Sequence, residues 1–110
     1  NNQDVATAAL GSLVGSLGRY SKPLLGHIFR DAVGHVNPST LGARAGYMKL
    51  FEAVATKPTN YRSNFPLPAA AAKAGVEAYT QVFRNGKQVW VYTRNGKIID
   101  AGVNLPGAHR

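Results

Sequence analysis

The chain has 110 residues, which is the size of one compact domain and leaves little room for a second core. Hydrophobic residues make up 45% of the sequence, which excludes a disordered or low-complexity chain. The 13 Lys and Arg residues against 5 Asp and Glu give a net charge of +8, which indicates a polyanionic partner: RNA, DNA, an anionic membrane or an acidic protein.

The positive charge is concentrated in the second half of the chain. Residues 1–56 carry a net charge of +2, whereas residues 57–110 carry +6. The chain has no cysteine, which excludes disulfides, thiolate metal sites and cysteine nucleophiles. The apolar stretch at residues 5–17 is interrupted by Gly and Ser and is too short to cross a bilayer, so we expect no membrane span.

Apolar residues at helical spacing predict three helices in the first half, at about residues 4–17, 23–34 and 38–56. Pro23 suits the first turn of the second helix. Asn37 is the expected cap of the third, with a proline directly after it. Residues 57–68 read as an ordered loop, and a short Ala-rich helix at 68–74 is expected to close at Gly75.

The last third predicts three β-strands at residues 76–84, 87–94 and 97–104. They are separated by Asn85-Gly86 and Asn95-Gly96, and Asn-Gly is the strongest short hairpin signal. The expected fold class is therefore α+β, with the N-terminal helices packed on one face of a C-terminal antiparallel β-meander.

Two-residue turns at both Asn-Gly sites fix a register and hence two faces of the sheet. The first face is aliphatic and suits packing against the helices: Val82, Val89, Val91 and Ile98, with Thr80, Thr93 and Asp100. The second mixes aromatic, amide and basic groups, which can stack bases and hold phosphates: Tyr79, Gln81, Phe83, Gln88, Trp90, Tyr92, Arg94, Lys97 and Ile99. Alternatively, the aromatic residues form the core and the aliphatic face is half-open.

Residues 34–40 are the most site-like stretch, because they place His35, Ser39 and Thr40 just before a helix N-terminus, where an anion is stabilised. In the alternative interpretation these polar residues only cap the helix and His35 is a solvated linker residue. The three histidines are widely spaced, with no acid at a ligand spacing beside them, so we expect no metal and no cofactor.

A basic sheet with one well-placed histidine meets the minimal needs of RNA cleavage. RNA brings its own nucleophile, the 2′-hydroxyl, and the protein adds a base, a cation and an acid. DNA lacks that internal nucleophile and usually requires a metal or a covalent residue, so the composition favours RNA.

A resemblance to a known family rests on three segments: IFRDAVGHVNPST at residues 28–40, GYMKLFEAVATKPTNYRSNF at 46–65 and GVEAYTQVFRNGKQVWVYTRNGKIIDAGVNLPGAHR at 75–110. They resemble the C-terminal toxin domains of CdiA-type effectors of contact-dependent growth inhibition, which are large filamentous-haemagglutinin-like bacterial proteins. The resemblance covers residues 28–110 as the toxin domain and leaves residues 1–27 as a connecting segment.

Such domains are similar to the barnase/EndoU/colicin/RelE group of ribonucleases, which implies a metal-independent endoribonuclease that cleaves tRNA. The implied catalytic positions are His35, Ser39, Thr40, Tyr92, Thr93 and Lys97. Thr93 falls on the predicted core face, so Tyr92 and Lys97 are better placed. Many relatives use a second histidine, and here His27 and His109 are both candidates. The general acid stays open between Lys97, Tyr92 and an arginine such as Arg30. Substrate contacts are expected from His27, Arg30, Arg62, Tyr79, Gln81, Trp90, Arg94 and His109.

The resemblance also implies delivery from a secreted or cell-surface effector into the cytoplasm of a target bacterium. The implied partner in the producing cell is a cognate immunity protein, expected to be acidic and to cover the basic sheet. Two other functions are weighed against this one: a non-enzymatic basic nucleic-acid-binding module, and a membrane-acting toxin. The second is disfavoured because residues 5–17 lack a basic polar face.

Overall fold

The structure is a computed structural model that describes residues 17–110. The predicted first helix at residues 4–17 lies outside the described residues except for Leu17, which begins a 3₁₀ turn, Leu17–Arg19. Three α-helices follow: α1 (Lys22–Ile28), α2 (Leu41–Ala55) and α3 (Ala69–Lys73). A second 3₁₀ turn, Pro58–Asn60, lies in the loop between α2 and α3. None of the helices described in residues 17–110 has both the length and the apolar character that a membrane span requires.

Helix α1 begins as predicted and ends early. The Ser21 hydroxyl accepts a hydrogen bond from the Leu24 amide, and Pro23 occupies the first turn. The helix ends at Ile28 with Phe29 as its C-cap, so the predicted end near Gly34 is wrong. The chain then turns through residues 30–34 and leaves the helix direction. The predicted boundary after residue 27 falls inside this helix.

The predicted cap of α2 is also wrong. Thr40, not Asn37, is the N-cap, and its hydroxyl accepts a hydrogen bond from the Ala43 amide at 3.2 Å. Asn37 is drawn away by Arg44, which donates to the Asn37 Oδ1 at 3.1 Å and to the Pro38 carbonyl at 3.2 Å. These contacts hold residues 37–38 in a non-helical segment beside α2, so these residues do not form its first turn.

The sheet confirms the predicted α+β class. Strands β1 (Glu77–Val82), β2 (Gln88–Arg94) and β3 (Lys97–Asn104) pair antiparallel in the order β1-β2-β3. The preceding α3 closes before Gly75, as the sequence predicted.

The second hairpin has the predicted turn but contains a bulge. Asn95 and Gly96 both have positive φ, 53° and 74°, and Arg94 faces Lys97. The register then shifts, because Thr93 pairs with Ile98 whereas Tyr92 pairs with Asp100, which leaves Ile99 as an extra residue in β3. The prediction that Asp100 lies on the aliphatic face is therefore wrong, since it shares a face with Tyr92.

The first hairpin has a different turn from the predicted one. Gly86 has φ of 82°, the Gly86 amide donates to the Phe83 carbonyl, and the Phe83 amide donates to the Lys87 carbonyl. This is a three-residue loop with a glycine bulge, so Val82 faces Gln88 instead of Val89. All β1 residues change face: Tyr79, Gln81 and Phe83 were predicted on the aromatic face and lie on the other, and Thr80 and Val82 do the reverse.

The two faces of the sheet are covered in different ways. The helix face, centred on Val89 and Val91 of β2, packs on α1 and α2 as predicted, and its core includes Ile28, Met48 and Phe51. The opposite face, here called the loop face, carries the β2 side chains Gln88, Trp90 and Tyr92 and their cross-strand neighbours.

Both edges of the sheet carry a further chain segment. At the β3 edge the Val103 amide donates to the Gly34 carbonyl at 3.0 Å. At the β1 edge Tyr61 forms an isolated bridge with Tyr79, and the Arg62 amide donates to the Ala78 carbonyl at 2.9 Å. The loops before and after α2 are fixed to the sheet at these points.

Candidate functional site

A histidine and a carboxylate meet where α1 lies against β3. The Nε2 atom of His27 is 3.2 Å from Oδ2 of Asp100. His27 lies on the last turn of α1, and its side chain is 48% exposed, whereas that of Asp100 is 16% exposed. The imidazole is therefore reachable from solvent, while the carboxylate behind it is held in place. The Asp100 Oδ1 also accepts a hydrogen bond from the Ala101 amide at 3.0 Å.

A cation completes this pair. The Nη1 atom of Arg30 is 2.6 Å from Nδ1 and 2.9 Å from Nε2 of His27, and it donates to the His27 carbonyl at 3.1 Å. Nε2 of His27 thus contacts both the Arg30 guanidinium and the Asp100 carboxylate, whereas Nδ1 contacts the guanidinium. An anionic ligand that reaches His27 meets Arg30 at the same time.

The second imidazole, that of His35, lies beside the first and is more deeply buried. Its ring centroid is 6.0 Å from that of His27, and its Nδ1 contacts the Ile28 carbonyl at 2.9 Å. Its Nδ1 is 3.9 Å from the Asp100 carboxylate, too far for a hydrogen bond, and its side chain is 4% exposed. His35 supports the ring of His27 and is closed to direct contact with a ligand.

The Trp90 ring packs against the His35 ring. The two rings meet edge to face at 90° with centroids 5.2 Å apart, and the Trp90 indole donates to the Gly34 carbonyl at 3.2 Å. Trp90 is 5% exposed, because residues 34–35 lie across it. Its indole is therefore covered in this structure and is not open as a stacking platform for bases.

Tyr92 extends the aromatic row toward the loop that follows α2. Its ring lies 4.9 Å from that of Trp90 and 5.7 Å from that of Phe65, and it is half-buried. Because Tyr92 is the cross-strand partner of Asp100, it borders the same site as His27.

The other predicted catalytic residues lie away from His27. Ser39 is exposed in the turn before α2, and the hydroxyl of Thr40 caps that helix. Thr93 is buried on the helix face, as the sequence predicted. Lys97 is exposed beside Arg94 at the tip of the second hairpin.

Three predicted substrate contacts are also displaced. Gln81 and Tyr79 lie on the helix face, where Gln81 Oε1 accepts from the Asn60 amide at 3.0 Å. Burial raises the pKa of the Tyr79 hydroxyl, and Glu77 and Tyr61 add to that rise. His109 lies at the other hairpin, with Nε2 2.6 Å from the Gly86 carbonyl, so the structure brings His27 to His35 and leaves His109 apart.

A second polar cluster lies farther along the loop face. The Arg62 guanidinium donates to the Thr80 hydroxyl at 3.0 Å and stacks over the Phe65 ring at 5.5 Å. The same Nη1 donates to the Arg110 carbonyl at 3.2 Å. Gln88, 2% exposed, lies between these groups and Asn104.

On the helix side of the molecule, a cavity of about 650 Å³ opens between α2 and the first hairpin. Its walls include Val36, Tyr47, Phe83 and Val103, so it is mainly apolar. Within residues 17–110 no three His, Asp or Glu side chains are grouped so that they could hold a metal ion.

Asp100 is the site residue that the sequence reasoning missed. Its only signal is that it is one of just two acids in the strongly basic residues 57–110. Its position beside His27 depends on the bulge at Ile99, which no sequence pattern indicates. Comparisons of the chain with models of protein families, with curated proteins and with solved structures give no match.

Proposed function

We propose that the chain is a metal-independent endoribonuclease, with tRNA as the substrate that the resemblance implies. The observation that carries the proposal is the 3.2 Å contact between the exposed His27 imidazole and the Asp100 carboxylate. A carboxylate in this position orients an imidazole and stabilises its protonated form, as in other acid–base sites. Helices cover one face of the sheet, and the strand residues of the site, Asp100 and Tyr92, lie on the other, which agrees with the barnase-like group that the resemblance implies.

In this mechanism RNA supplies the nucleophile. The 2′-oxygen attacks the adjacent phosphorus, the bond from phosphorus to the 5′-oxygen breaks, and the products are a 2′,3′-cyclic phosphate and a 5′-hydroxyl. His27 accepts the proton of the 2′-hydroxyl. Arg30, whose guanidinium touches the His27 ring, stabilises the charge that develops on the phosphoryl oxygens.

We assign Tyr92 as the general acid that donates a proton to the departing 5′-oxygen, because Tyr92 is the cross-strand neighbour of Asp100 on the loop face. His35 and Asp100 act as positioning residues, because the Asp100 carboxylate contacts the His27 ring and the His35 ring packs against it. Arg94 and Lys97 are exposed at the hairpin tip, and we assign them to phosphates farther along the RNA.

The test is incubation of the purified chain with total bacterial RNA in EDTA, followed by gel separation and mapping of the new ends. We expect discrete tRNA fragments that end in a cyclic phosphate. His27→Ala should lower the cleavage rate by about 10²- to 10⁴-fold, the usual contribution of one acid–base group. Lys22→Ala, an exposed change on the same helix, is the matched control and should cleave as the unmodified chain does.

Asp100→Asn tests the positioning role separately from the fold. It should lower kcat with little change in KM, because it removes the group that orients His27 and no group that binds RNA. Full activity of His27→Ala contradicts the mechanism. Cleavage that EDTA abolishes and a divalent ion restores contradicts metal independence, and tight salt-sensitive binding without cleavage favours the nucleic-acid-binding module.

The wider role in the proposal is that of a toxin domain neutralised by an acidic immunity protein. Its support is the charge of +8 and the exposure of Arg94 and Lys97 on the loop face. Production of the chain inside a bacterium without the partner should arrest growth, and His27→Ala should not. Growth arrest by His27→Ala would separate toxicity from RNA cleavage.

A further inference from the structure

The side-chain amide of Gln88 is paired with the backbone N–H and C=O of one residue of the same chain, Arg110. Gln88 Nε2 donates to the Arg110 carbonyl at 2.9 Å, and the Arg110 amide donates to Gln88 Oε1 at 2.9 Å. The two bonds make a matched donor and acceptor pair. Gln88 itself is 2% exposed, so its amide is fixed in place at the bottom of the loop face.

Neighbouring side chains hold that amide in one orientation. The Arg110 backbone N–H can only donate, so its bond to Oε1 identifies this atom as the acceptor and leaves Nε2 as the donor, and Asn104 Nδ2 donates to the same oxygen at 3.1 Å. Asn104 is also buried, at 5% exposure. When residue 110 moves away, Gln88 therefore presents one acceptor and one donor side by side, in fixed order.

The acceptor atom of the occupant receives a second hydrogen bond. The Arg62 guanidinium donates to the same Arg110 carbonyl at 3.2 Å, and Thr80 and the Phe65 ring hold that guanidinium in place. An atom that accepts from both Gln88 and Arg62 needs two lone pairs, which a carbonyl oxygen has and an aromatic ring nitrogen lacks. The cluster is thus complementary to an N–H group next to a C=O group.

We propose that Gln88, Asn104 and Arg62 form a nucleobase subsite that takes the N–H and C=O edge of uracil or guanine, and that the backbone N–H and C=O of Arg110 occupy it in the free protein. Uracil offers N3–H beside a carbonyl and guanine offers N1–H beside O6. Adenine and cytosine offer a ring nitrogen as acceptor and are disfavoured. The inference rests on RNA as the ligand of the proposed function.

The subsite is close enough to the proposed cleavage site for one RNA strand to contact both. Gln88 and Tyr92 lie on the same face of β2, four residues and about 13 Å apart along the strand. Asn104 and Asp100 face them from β3. A short single-stranded segment cut at His27 therefore passes over Gln88, and its base can be read there by hydrogen bonds to an edge.

The test measures binding without cleavage. Nucleoside 3′-monophosphates are titrated into the ¹⁵N-labelled full chain and followed by NMR, with uridine, guanosine, cytidine and adenosine as bases. Uridine or guanosine should bind at least about fivefold more tightly than adenosine and cytidine, as a bidentate base contact does. Their binding should shift the Arg110 amide signal. The uridine and guanosine titrations decide which of the two bases the subsite takes.

Methylated bases isolate the hydrogen bond itself. N3-methyluridine and N1-methylguanosine keep the ring and the carbonyl but lack the N–H, so each should lose the preference of its parent. Equal binding of the methylated and parent bases, or no binding of any nucleotide, overturns the proposal. A preference for uridine or guanosine that leaves the Arg110 signal unmoved also overturns it.

Two variants place the discrimination at this cluster. Gln88→Glu replaces the donor by an acceptor and should remove the base preference. If that variant does not fold, Arg62→Gln is the second test. It removes the second donor to the base carbonyl and should also remove the base preference. Lys49→Gln, the same loss of charge on α2, should keep the preference.

The outcomes also separate this inference from the nuclease proposal. RNA cleavage by a chain without base preference overturns the subsite alone. Base preference in a chain that cuts no RNA overturns the nuclease alone.

Discussion

Gly102 leaves the space in which the Gly34 carbonyl and the Trp90 ring meet on the loop face. A Cβ atom at residue 102 would lie 1.9 Å from that carbonyl oxygen and 2.5 Å from the indole. Neither neighbour can yield easily, because the carbonyl bonds both Val103 and Trp90. The glycine therefore sets how closely the segment that carries His35 approaches the sheet.

We expect Gly102→Ala to lower the free energy of unfolding by about 3 kcal/mol, the upper range for an overpacked site. Gly46→Ala is the matched control, since a Cβ at residue 46 in α2 meets nothing within 4 Å. It should stabilise the protein by about 1 kcal/mol, because alanine is the better helix former. Urea unfolding of both variants measures the difference, and equal stabilities contradict the close approach.

At the scale of single residues, the sequence indicated groups but not their contacts. His27 and His35 were both candidates from composition and resemblance. Their meeting at Asp100 requires the packing of α1 on β3, which is a tertiary contact without a local signature. The burial of Trp90 was equally hidden, since an aromatic residue in a strand reads the same whether a loop covers it or not.

The first turn of α2 shows how an element boundary is decided by one side chain. Two residues before the helix, Ser39 and Thr40, carry hydroxyls, and only Thr40 bonds a free amide of the first turn. We expect Thr40→Ala to destabilise the protein by about 1 kcal/mol through the lost cap. Ser39→Ala, a change of the same hydroxyl next to it, should stay within about 0.5 kcal/mol.

Thermal unfolding of the two variants measures this difference. Because Thr40 was also a catalytic candidate, cleavage by Thr40→Ala at a temperature where it remains folded separates the two roles. Loss of activity in the folded variant contradicts a role limited to capping. Equal destabilisation by Ser39→Ala contradicts the assignment of the cap.

Among the strands, identical local sequences gave different turns. The tetrapeptide Arg-Asn-Gly-Lys occurs at residues 84–87 and 94–97. In the second copy Asn95 takes a positive φ, whereas in the first the Asn85 side chain accepts from the Lys87 amide and only Gly86 has positive φ. Strand existence and order were predictable from Asn-Gly and alternation, but the register was not.

The reason for the difference lies outside the turn. Phe83 packs against the core, and a Cβ at Gly86 would lie 3.0 Å from Pro106. The longer loop accommodates both contacts and shifts every β1 residue to the other face. The bulge at Ile99 likewise decides that Asp100 faces His27. Both irregularities come from packing between distant segments, which alternation along a strand does not encode.

At the scale of the whole molecule, exposed basic side chains lie on both sides of the sheet. Arg62, Arg94 and Lys97 are exposed on the loop face, whereas Lys49 is exposed on α2 across the helix face. A single-stranded RNA bound on the loop face should release condensed counterions there, so its affinity should fall steeply with salt.

We expect Arg94→Gln to lower the slope of log K against log salt concentration by about 0.7, the contribution of one phosphate contact to a single strand. Lys49→Gln removes the same charge and should leave the slope unchanged. Fluorescence anisotropy with a 2′-O-methyl oligonucleotide, which cannot supply the nucleophile, gives both slopes. Equal slopes for the two variants mean that RNA does not bind along the loop face.

The segments fixed to the two outer strands also limit how any protein partner can bind. A partner that adds its own strand to the sheet must first detach Gly34 from Val103, or residues 61–62 from β1. Detaching Gly34 removes the support of His35, and detaching residue 62 frees the guanidinium that the base subsite uses. Strand addition at either edge would therefore dismantle the proposed sites, whereas an inhibitor that binds the intact fold has to cover a face by side-chain contacts.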